Sequence, residues 1–234
     1  MISIAMATYN GEKYIEAQLA SILKQLPEDA EVVLSDDGST DRTCELALEM
    51  ARKYNRAESL RIIAGPKQGV IKNFEHVLGA CKGDVIFLAD QDDVWMDGKI
   101  EKMMAEIERG ATCVMHDVRV MNEDLTEELM PSFFAYRGTR AGYAANILKN
   151  YFMGCAMAIT KDVRDTALPI PETVQMHDQW IGLMNEKHHK KTVLIKEPLL
   201  LYRRHETNAS DFGHHTVPEM IKLRMHLLGL LKNR

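Results

Sequence analysis

Cysteine is scarce in this chain of 234 residues: there are four, Cys44, Cys81, Cys113 and Cys155, and no Cys-x-x-Cys pair. That spacing excludes a zinc ribbon and a thioredoxin-like redox motif, and it predicts small buried side chains in a reducing compartment. Long apolar runs are missing too. Val85 to Ala89 and Leu199 to Tyr202 are far too short to span a bilayer. No basic leader followed by an apolar core stands after Met1, so a targeting segment is not expected. An excess of positive charge is also lacking: 29 Lys and Arg against 34 Asp and Glu give a net charge of −5, which offers no footprint for duplex nucleic acid. What is present is ordinary, with 46% apolar and 27% charged residues. That composition excludes collagen, a coiled-coil rod and a disordered tail as descriptions of the whole chain. The length suffices for one large α/β domain, or one domain with a small appendage. A cytoplasmic, soluble protein is expected, one that could still sit on the inner face of the cell membrane.

Through the first half, short β-branched runs alternate with helical patterns. Ile2 to Thr8 predicts a buried strand, followed by a turn at Asn10 and Gly11 and a helix carrying Ile15, Leu19, Ile22, Leu23 and Leu26 until Pro27 stops it. Glu31 to Ser35 predicts a second strand, Asp36 to Ser39 a turn, and Asp41 a cap for a helix with Cys44, Ala47, Leu48 and Ala51 on its apolar side. Leu60 to Ala64 and Val85 to Leu88 follow as strands, with a glycine-bearing loop at 65–69 and helices over 70–81 and 98–109. Such alternation implies a parallel sheet with right-handed crossovers and helices on both faces. Beyond a strand at Thr112 to Val120 the periodicity fades, and Asn122 to Ala144 reads as a long loop or lid. Tyr151 to Thr160 predicts a strand interrupted at Gly154, a helix begins near Asp178, and Val193 to Tyr202 supplies one or two strands around Pro198. Thr216 to Lys232 is helical again, and no internal repeat or low-complexity linker divides the chain.

Ligands of an open α/β sheet bind beyond the carboxyl ends of its strands. Here those ends are Thr8-Tyr9-Asn10, Asp36-Asp37 and Asp90-Gln91-Asp92-Asp93, so two acidic clusters face one edge. Crowded carboxylates raise one another's pKa unless a cation or hydrogen-bond donors offset them. Oxygen ligands of this kind suit Mg2+ or Mn2+, although an Asp-Asp pair in a turn is also common as a cap or turn closure.

Ala7-Thr8-Tyr9-Asn10-Gly11, Ser35-Asp36-Asp37-Gly38-Ser39 and Leu88-Ala89-Asp90-Gln91-Asp92-Asp93-Val94-Trp95, in this order, resemble the family 2 glycosyltransferases. The Gln-Asp-Asp-x-Trp form is similar to bacterial rhamnosyltransferases of polysaccharide synthesis. The resemblance implies a GT-A fold: a Rossmann-like, mostly parallel central sheet with helices on both faces. It would occupy 1–215, with a nucleotide-sugar half at 1–120 and an acceptor half at 121–215, and leave a C-terminal helix at 216–234.

The resemblance also implies roles. Thr8, Tyr9 and Asn10, with Asp36 or Asp37, would line the pocket of a donor's base, and Lys72 would stand where the family has an arginine near the diphosphate. Asp90 and Asp92 would be the Asp-x-Asp pair holding ribose and a Mg2+ or Mn2+ ion, joined by His205 unless that histidine is structural. Arg203 and Arg204 would clamp phosphate. Asp178 would be the base of an inverting transfer or a helix cap, two roles that can coexist, and His177 would only pack against it or tune it. Gly154, Cys155, Trp95 and Trp180 would face the acceptor, although a core position suits a tryptophan equally. The function implied is transfer of a sugar from a nucleoside-diphosphate donor, dTDP-rhamnose or a UDP-sugar, to a hydroxyl of a glycan or lipid-linked acceptor. The alternative is an inactive nucleotide-sugar-binding or scaffold protein of a polysaccharide assembly complex. A haloacid-dehalogenase phosphohydrolase would carry Asp-x-Asp after the first strand, not the fourth, and a nucleotidyltransferase would want a glycine-rich loop where Asn10-Gly11-Glu12 stands. The last helix either packs on the domain or lies on a membrane surface. His188 to Lys191 reads as a solvated turn, and His214 and His215 lack the spacing of metal ligands.

Overall fold

A computed structural model of the chain describes residues 1–188, 190–206, 208 and 216–232. His189, His214 and His215 lie outside the described residues. The N-terminal half alternates as its periodicity predicts: β1 (Ile2–Thr8), α1 (Ile15–Leu23), β2 (Glu31–Asp36), α2 (Thr43–Lys53), β3 (Leu60–Ala64), α3 (Val70–Ala80) and β4 (Val85–Asp90). Every residue of β1 is buried, as expected for a central strand covered on both faces. After β4 come β5 (Val94–Trp95), α4 (Lys99–Glu108), β6 (Cys113–Met121), β7 (Glu128–Met130), α5 (Phe133–Arg137) and α6 (Tyr143–Leu148). The chain continues through β8 (Met157–Thr160), α7 (Lys161–Ala167), α8 (His177–Lys187), β9 (Thr192–Arg203) and α9 (Val217–Lys232).

The strands order as β3-β2-β1-β4-β8-β6-β9-β5, with β7 paired to β6. β1, β2, β3 and β4 run parallel, and β8 is antiparallel to both β4 and β6. β6 therefore points the same way as β4, and β9 is parallel to β6. One edge of the sheet thus collects the carboxyl ends of β1, β2, β4, β6 and β9, and the sequence clusters sit on that edge.

Three local expectations change, and a fourth narrows to one of its two alternatives. Asp41 lies two residues before the start of α2, one before its N-cap Arg42, yet its Oδ1 accepts the Thr43 N–H at 3.0 Å and its Oδ2 the Glu12 N–H at 3.0 Å. The stretch 122–144 is not a loop but a tight turn, β7, α5 and the start of α6. Asn122 Oδ1 organises the turn by accepting from the N–H groups of Thr126 and Glu127, and Ser132 caps α5. Elements this short show too few repeats for a period to emerge. The strand begins only at Met157, because Gly154–Ala156 form a 3-10 turn in which a Cβ on Gly154 would stand 2.8 Å from His177 Nε2. The late strand is single; its register against β6 jumps from His116↔Ile195 to Asp117↔Pro198, where proline offers no N–H to the ladder.

Candidate active site

The end of β1 is fixed from two sides. Thr8 is buried and donates to Asp36 Oδ1 (3.1 Å), while the Gln91 side chain clasps the backbone of Tyr9, accepting its N–H at 2.9 Å and donating to its carbonyl at 3.0 Å. A Cβ on Gly11 would lie 2.3 Å from Gln91 Oε1, so only glycine lets that clasp close. The Tyr9 ring itself is 57% exposed at the rim. Asn10 takes φ 46 and accepts the Thr40 N–H on its Oδ1 at 2.9 Å. Asp36 folds its own turn by accepting from Gly38 N, Ser39 N and Ser39 Oγ, and Asp37 accepts from Lys67 N (2.6 Å) and Gly69 N (2.8 Å). Asn73 ties the ends of β1 and β2 through Ser35 O (2.8 Å) and Thr8 O (3.4 Å). Lys72, expected near a diphosphate, is instead held by Glu75 (2.7 Å) and the Ile170 carbonyl (3.2 Å), an i,i+3 pair along α3.

Beyond β4 the acidic residues separate into different environments. Asp90 is half-buried, and burial, then the charges of Asp92 and Asp178, push its carboxyl up to about 7. Aspartates from the end of β4 and from α8 therefore share one field. Asp92 points its Oδ2 at His205 Nε2, 2.8 Å away, with Asn208 Nδ2 at 3.5 Å. Asp93 is fully buried and raised well above the ordinary range by burial and by its two neighbours; it accepts the Arg203 N–H at 3.1 Å. Beneath it lies Lys99, also fully buried, whose ammonium donates to the Cys155 carbonyl (2.8 Å), sits 4.0 Å from the Trp95 ring centroid and is pushed down to about 7 by burial.

Asp178 is the second residue of α8 and is 4% exposed. Its Oδ1 accepts from Gln179 N (2.5 Å) and Asn150 Nδ2 (3.3 Å), and its Oδ2 from Gly154 N (3.1 Å). Burial outweighs these bonds and pushes the carboxyl up to about 6. His177 stacks on Phe74 at 4.0 Å and is driven down to about 3 by burial, so it stays neutral and packs. Arg203 donates through Nε to Asp92 O (2.7 Å) and through Nη1 to Glu123 O, so its guanidinium braces the acidic loop. Arg204 is half-buried, its N–H bonded to Met121 O at 2.9 Å.

Both tryptophans belong to the core. Trp180 is fully buried with its indole N–H on Ala167 O (2.8 Å), and Trp95 is 3% exposed against Phe87 and Lys99, so neither presents a face for an acceptor. Cys155 contributes a carbonyl to Lys99 and buries its thiol, while Gly154 serves Asp178 through its N–H. Residues to which the sequence assigns no role also matter: Lys99, Tyr14, Glu123, Asn150 and, within the acidic motif, Gln91. Lys99 had a signal, since it shares the buried face of α4 with Ile100 and Met103.

Two groupings could hold a cation. Ligand atoms of Asp90, Asp93 and Cys155 lie within 4.8 Å of one another, but that group mixes a soft, buried thiol with an ammonium already at hand. Asp92 Oδ2 and His205 Nε2, 2.8 Å apart, match the roughly 3 Å between neighbouring ligands of an octahedral ion with bonds near 2.1 Å. By donor type and spacing that pair suits Mg2+ or Mn2+, although among the described residues no third His, Cys, Asp or Glu ligand atom gathers with it within 4.8 Å.

Residues 3–166 match the family model described as Glycosyl transferase family 2. The dTDP-rhamnosyl transferase RfbG of Shigella flexneri is 26% identical over 242 residues, an alignment that covers 98% of this chain and 80% of that protein. Among solved structures, the 1–349 portion of S. aureus TarS in complex with UDP-GlcNAc superposes with a TM-score of 0.73 at 20% identity, covering 98% of this chain and 65% of that one. The mannosyltransferase PcManGT of Pyrobaculum calidifontis, in complex with GDP-Man and Mn2+, gives 0.70 at 16% identity, covering 88% and 58%. The chain therefore spans less than two thirds of these two solved chains.

Proposed function

The chain belongs to glycosyl transferase family 2, and on that premise we propose that it is an inverting, metal-dependent transferase of a sugar from dTDP-rhamnose or a UDP-sugar to a hydroxyl of a glycan or lipid-linked acceptor. The observation that carries this reading is that Gly154 N donates to Asp178 Oδ2 at 3.1 Å while the thiol of the adjacent Cys155 lies within 4.8 Å of the Asp90 and Asp93 carboxylates, so the end of β4 and the start of α8 meet at one place. Asp178 removes the proton from the acceptor hydroxyl. The hydroxyl oxygen then attacks the anomeric carbon from the face opposite the diphosphate, and the carbon–oxygen bond to the diphosphate breaks with its electron pair leaving on that oxygen. With a carboxyl near 6, Asp178 is ionised at neutral pH yet more basic than an ordinary aspartate. The Tyr9 ring offers a face for the base, and the frame built by Asp36, Asp37 and Asn73 sets the pocket wall behind it. Asp92 and His205 would hold Mg2+ or Mn2+, with Asp90 the further candidate ligand, and the ion would supply neutralisation of charge on the departing diphosphate.

A ligand that binds only the folded state raises its melting temperature. At about a hundredfold excess over its Kd the stabilisation is about 2.7 kcal/mol, which moves the midpoint of a chain of this size by about 5–10 °C. We expect that shift for dTDP or UDP with Mn2+, and a smaller one for either alone. A melt unmoved by any nucleoside diphosphate would count against a donor site.

A lipid-linked acceptor would draw on α9. No helix among the described residues is long and apolar enough to cross a membrane. α9 buries Leu227 and Leu231 against the domain but leaves Met220, Ile221, Met225 and Leu228 exposed. Replacing Ile221 and Met225 by glutamate spares the buried contacts, so it is expected to abolish flotation with anionic liposomes without lowering the melting temperature. Equal flotation of the variant would remove this part of the reading.

A further inference from the structure

We propose that Tyr14 is a positioning residue for the donor's diphosphate: its ring fixes the His205 imidazole against the Asp92 carboxylate. The proposal rests on reading Asp92 and His205 as the pair that meets the diphosphate and its cation.

Tyr14 immediately precedes α1, and its main-chain N–H donates to Gly11 O at 2.9 Å, within the same turn that presents Tyr9. Its ring stacks on His205 with centroids 4.7 Å apart and planes 23° from parallel. The Arg203 guanidinium lies 5.0 Å from the same ring centroid. Its phenol donates to Glu123 Oε1 at 2.6 Å, and Lys13 pairs with that same oxygen. The contacts close a ring. Arg203 Nε reaches Asp92 O, Asp92 Oδ2 reaches His205 Nε2, His205 stacks on Tyr14, and Tyr14 meets Arg203.

The Asp92 carboxylate holds the imidazole at Nε2. Asn208 Nδ2, 3.1 Å from the same Nε2, adds a contact at that atom. The Tyr14 ring, stacked on the imidazole face, restrains its plane. Tyr14 is 9% exposed but stands outside the contiguous apolar cluster; its ring and phenol meet Lys13, Glu123, Arg203 and His205, and it lines a cavity of about 400 Å3 with Lys13, Asn122, Glu123, Asp124 and Arg203. Packing alone does not account for a tyrosine in such company. Orienting the histidine does, and it couples the turn under the donor's base to the loop that follows β9.

Isothermal titration of the full chain with UDP, and separately with dTDP, in the presence of Mn2+ tests this. Tyr14→Leu, which removes the ring, is expected to weaken Mn2+-dependent nucleotide binding about tenfold, the lower end for a group that orients a ligand. Tyr14→Phe keeps the stack and should stay within about threefold of wild type. In a His205→Ala background Tyr14→Leu should add less than about twofold, because the two act through one another. Glu123→Ala, at a half-exposed side chain, releases the phenol but keeps the stack, so it too should stay within about threefold of wild type. Wild-type affinity in Tyr14→Leu, or a full tenfold loss on top of His205→Ala, overturns the proposal. Should Tyr14→Leu fail to fold, Tyr14→Met, which fills the site without a planar ring, takes its place, and wild-type affinity in it overturns the proposal. Wild-type affinity in His205→Ala alone would show that the diphosphate pair is wrongly assigned, and the proposal would fall with it.

Discussion

Replacing Asp178 by asparagine is expected to lower kcat about 10³-fold, within the range for a positioned general base, while nucleotide affinity stays within about threefold. The amide matches the carboxylate in size, and with its oxygen at the Oδ1 position it still accepts from Gln179 N and Asn150 Nδ2; only the bond from Gly154 N is lost. The fold has little reason to change, and the proton acceptor is gone. The wild-type pH profile should carry the same signature. Burial raises the Asp178 carboxyl to about 6, and only its deprotonated form can take the hydroxyl proton, so kcat should rise with pH through about 6 and level off above 7. At pH 5 it should stand about tenfold below the plateau. In the asparagine variant that limb should vanish. Stopped assays from pH 5 to 8 on both proteins decide the matter: a flat wild-type profile, or nucleotide affinity that collapses along with kcat, would remove Asp178 from the role of base.

Much of the arrangement behind that expectation was legible in the chain. β1, β2 and β4 are runs of apolar residues buried on both faces, and their carboxyl ends carry Thr8, Asp36 and Asp90, so the rim followed from the alternation of elements. What escaped was whatever tertiary neighbours decide. β5, with two residues, and β8, with four, are too short to show a period, and α7 follows β8 without a break. The adjacency of Trp95 to the acidic cluster suggested a sugar platform, but the side chain turns inward over Lys99, and periodicity says nothing of which way a residue after a strand will face. Lys72 was placed by motif position alone; Glu75, one helical turn on, captures it, and that pairing was visible in the spacing. Lys99 and Tyr14 show the deeper limit. A lysine on a helix and a tyrosine before one look ordinary until the elements that surround them close.

Asp92→Asn tests the cation reading from the opposite direction, because here activity and stability should part. Losing a carboxylate that neutralises diphosphate through Mg2+ or Mn2+ removes several kcal/mol from the transition state, about 10³-fold in kcat. Stability should not follow it down. Asp92 is a cause of the raised pKa of both Asp90 and Asp93, so its charge works against two carboxylates buried beside it. Their folded values lie above the unfolded ones, so both groups favour the folded state at low pH and lose that contribution as pH rises past about 7 for Asp90. At pH 8, where that penalty is felt, neutralising Asp92 should leave the melting temperature of the metal-free protein equal to wild type or higher. The bond to His205 survives, since an asparagine oxygen accepts from the imidazole as the carboxylate does. Thermal melts at pH 8 without metal, set beside Mn2+ titrations of the transfer reaction, separate the two possibilities. Turnover that saturates with Mn2+ as the wild type does would refute the cation role, and a melting temperature lowered by many degrees would show that Asp92 was holding the loop rather than the ion.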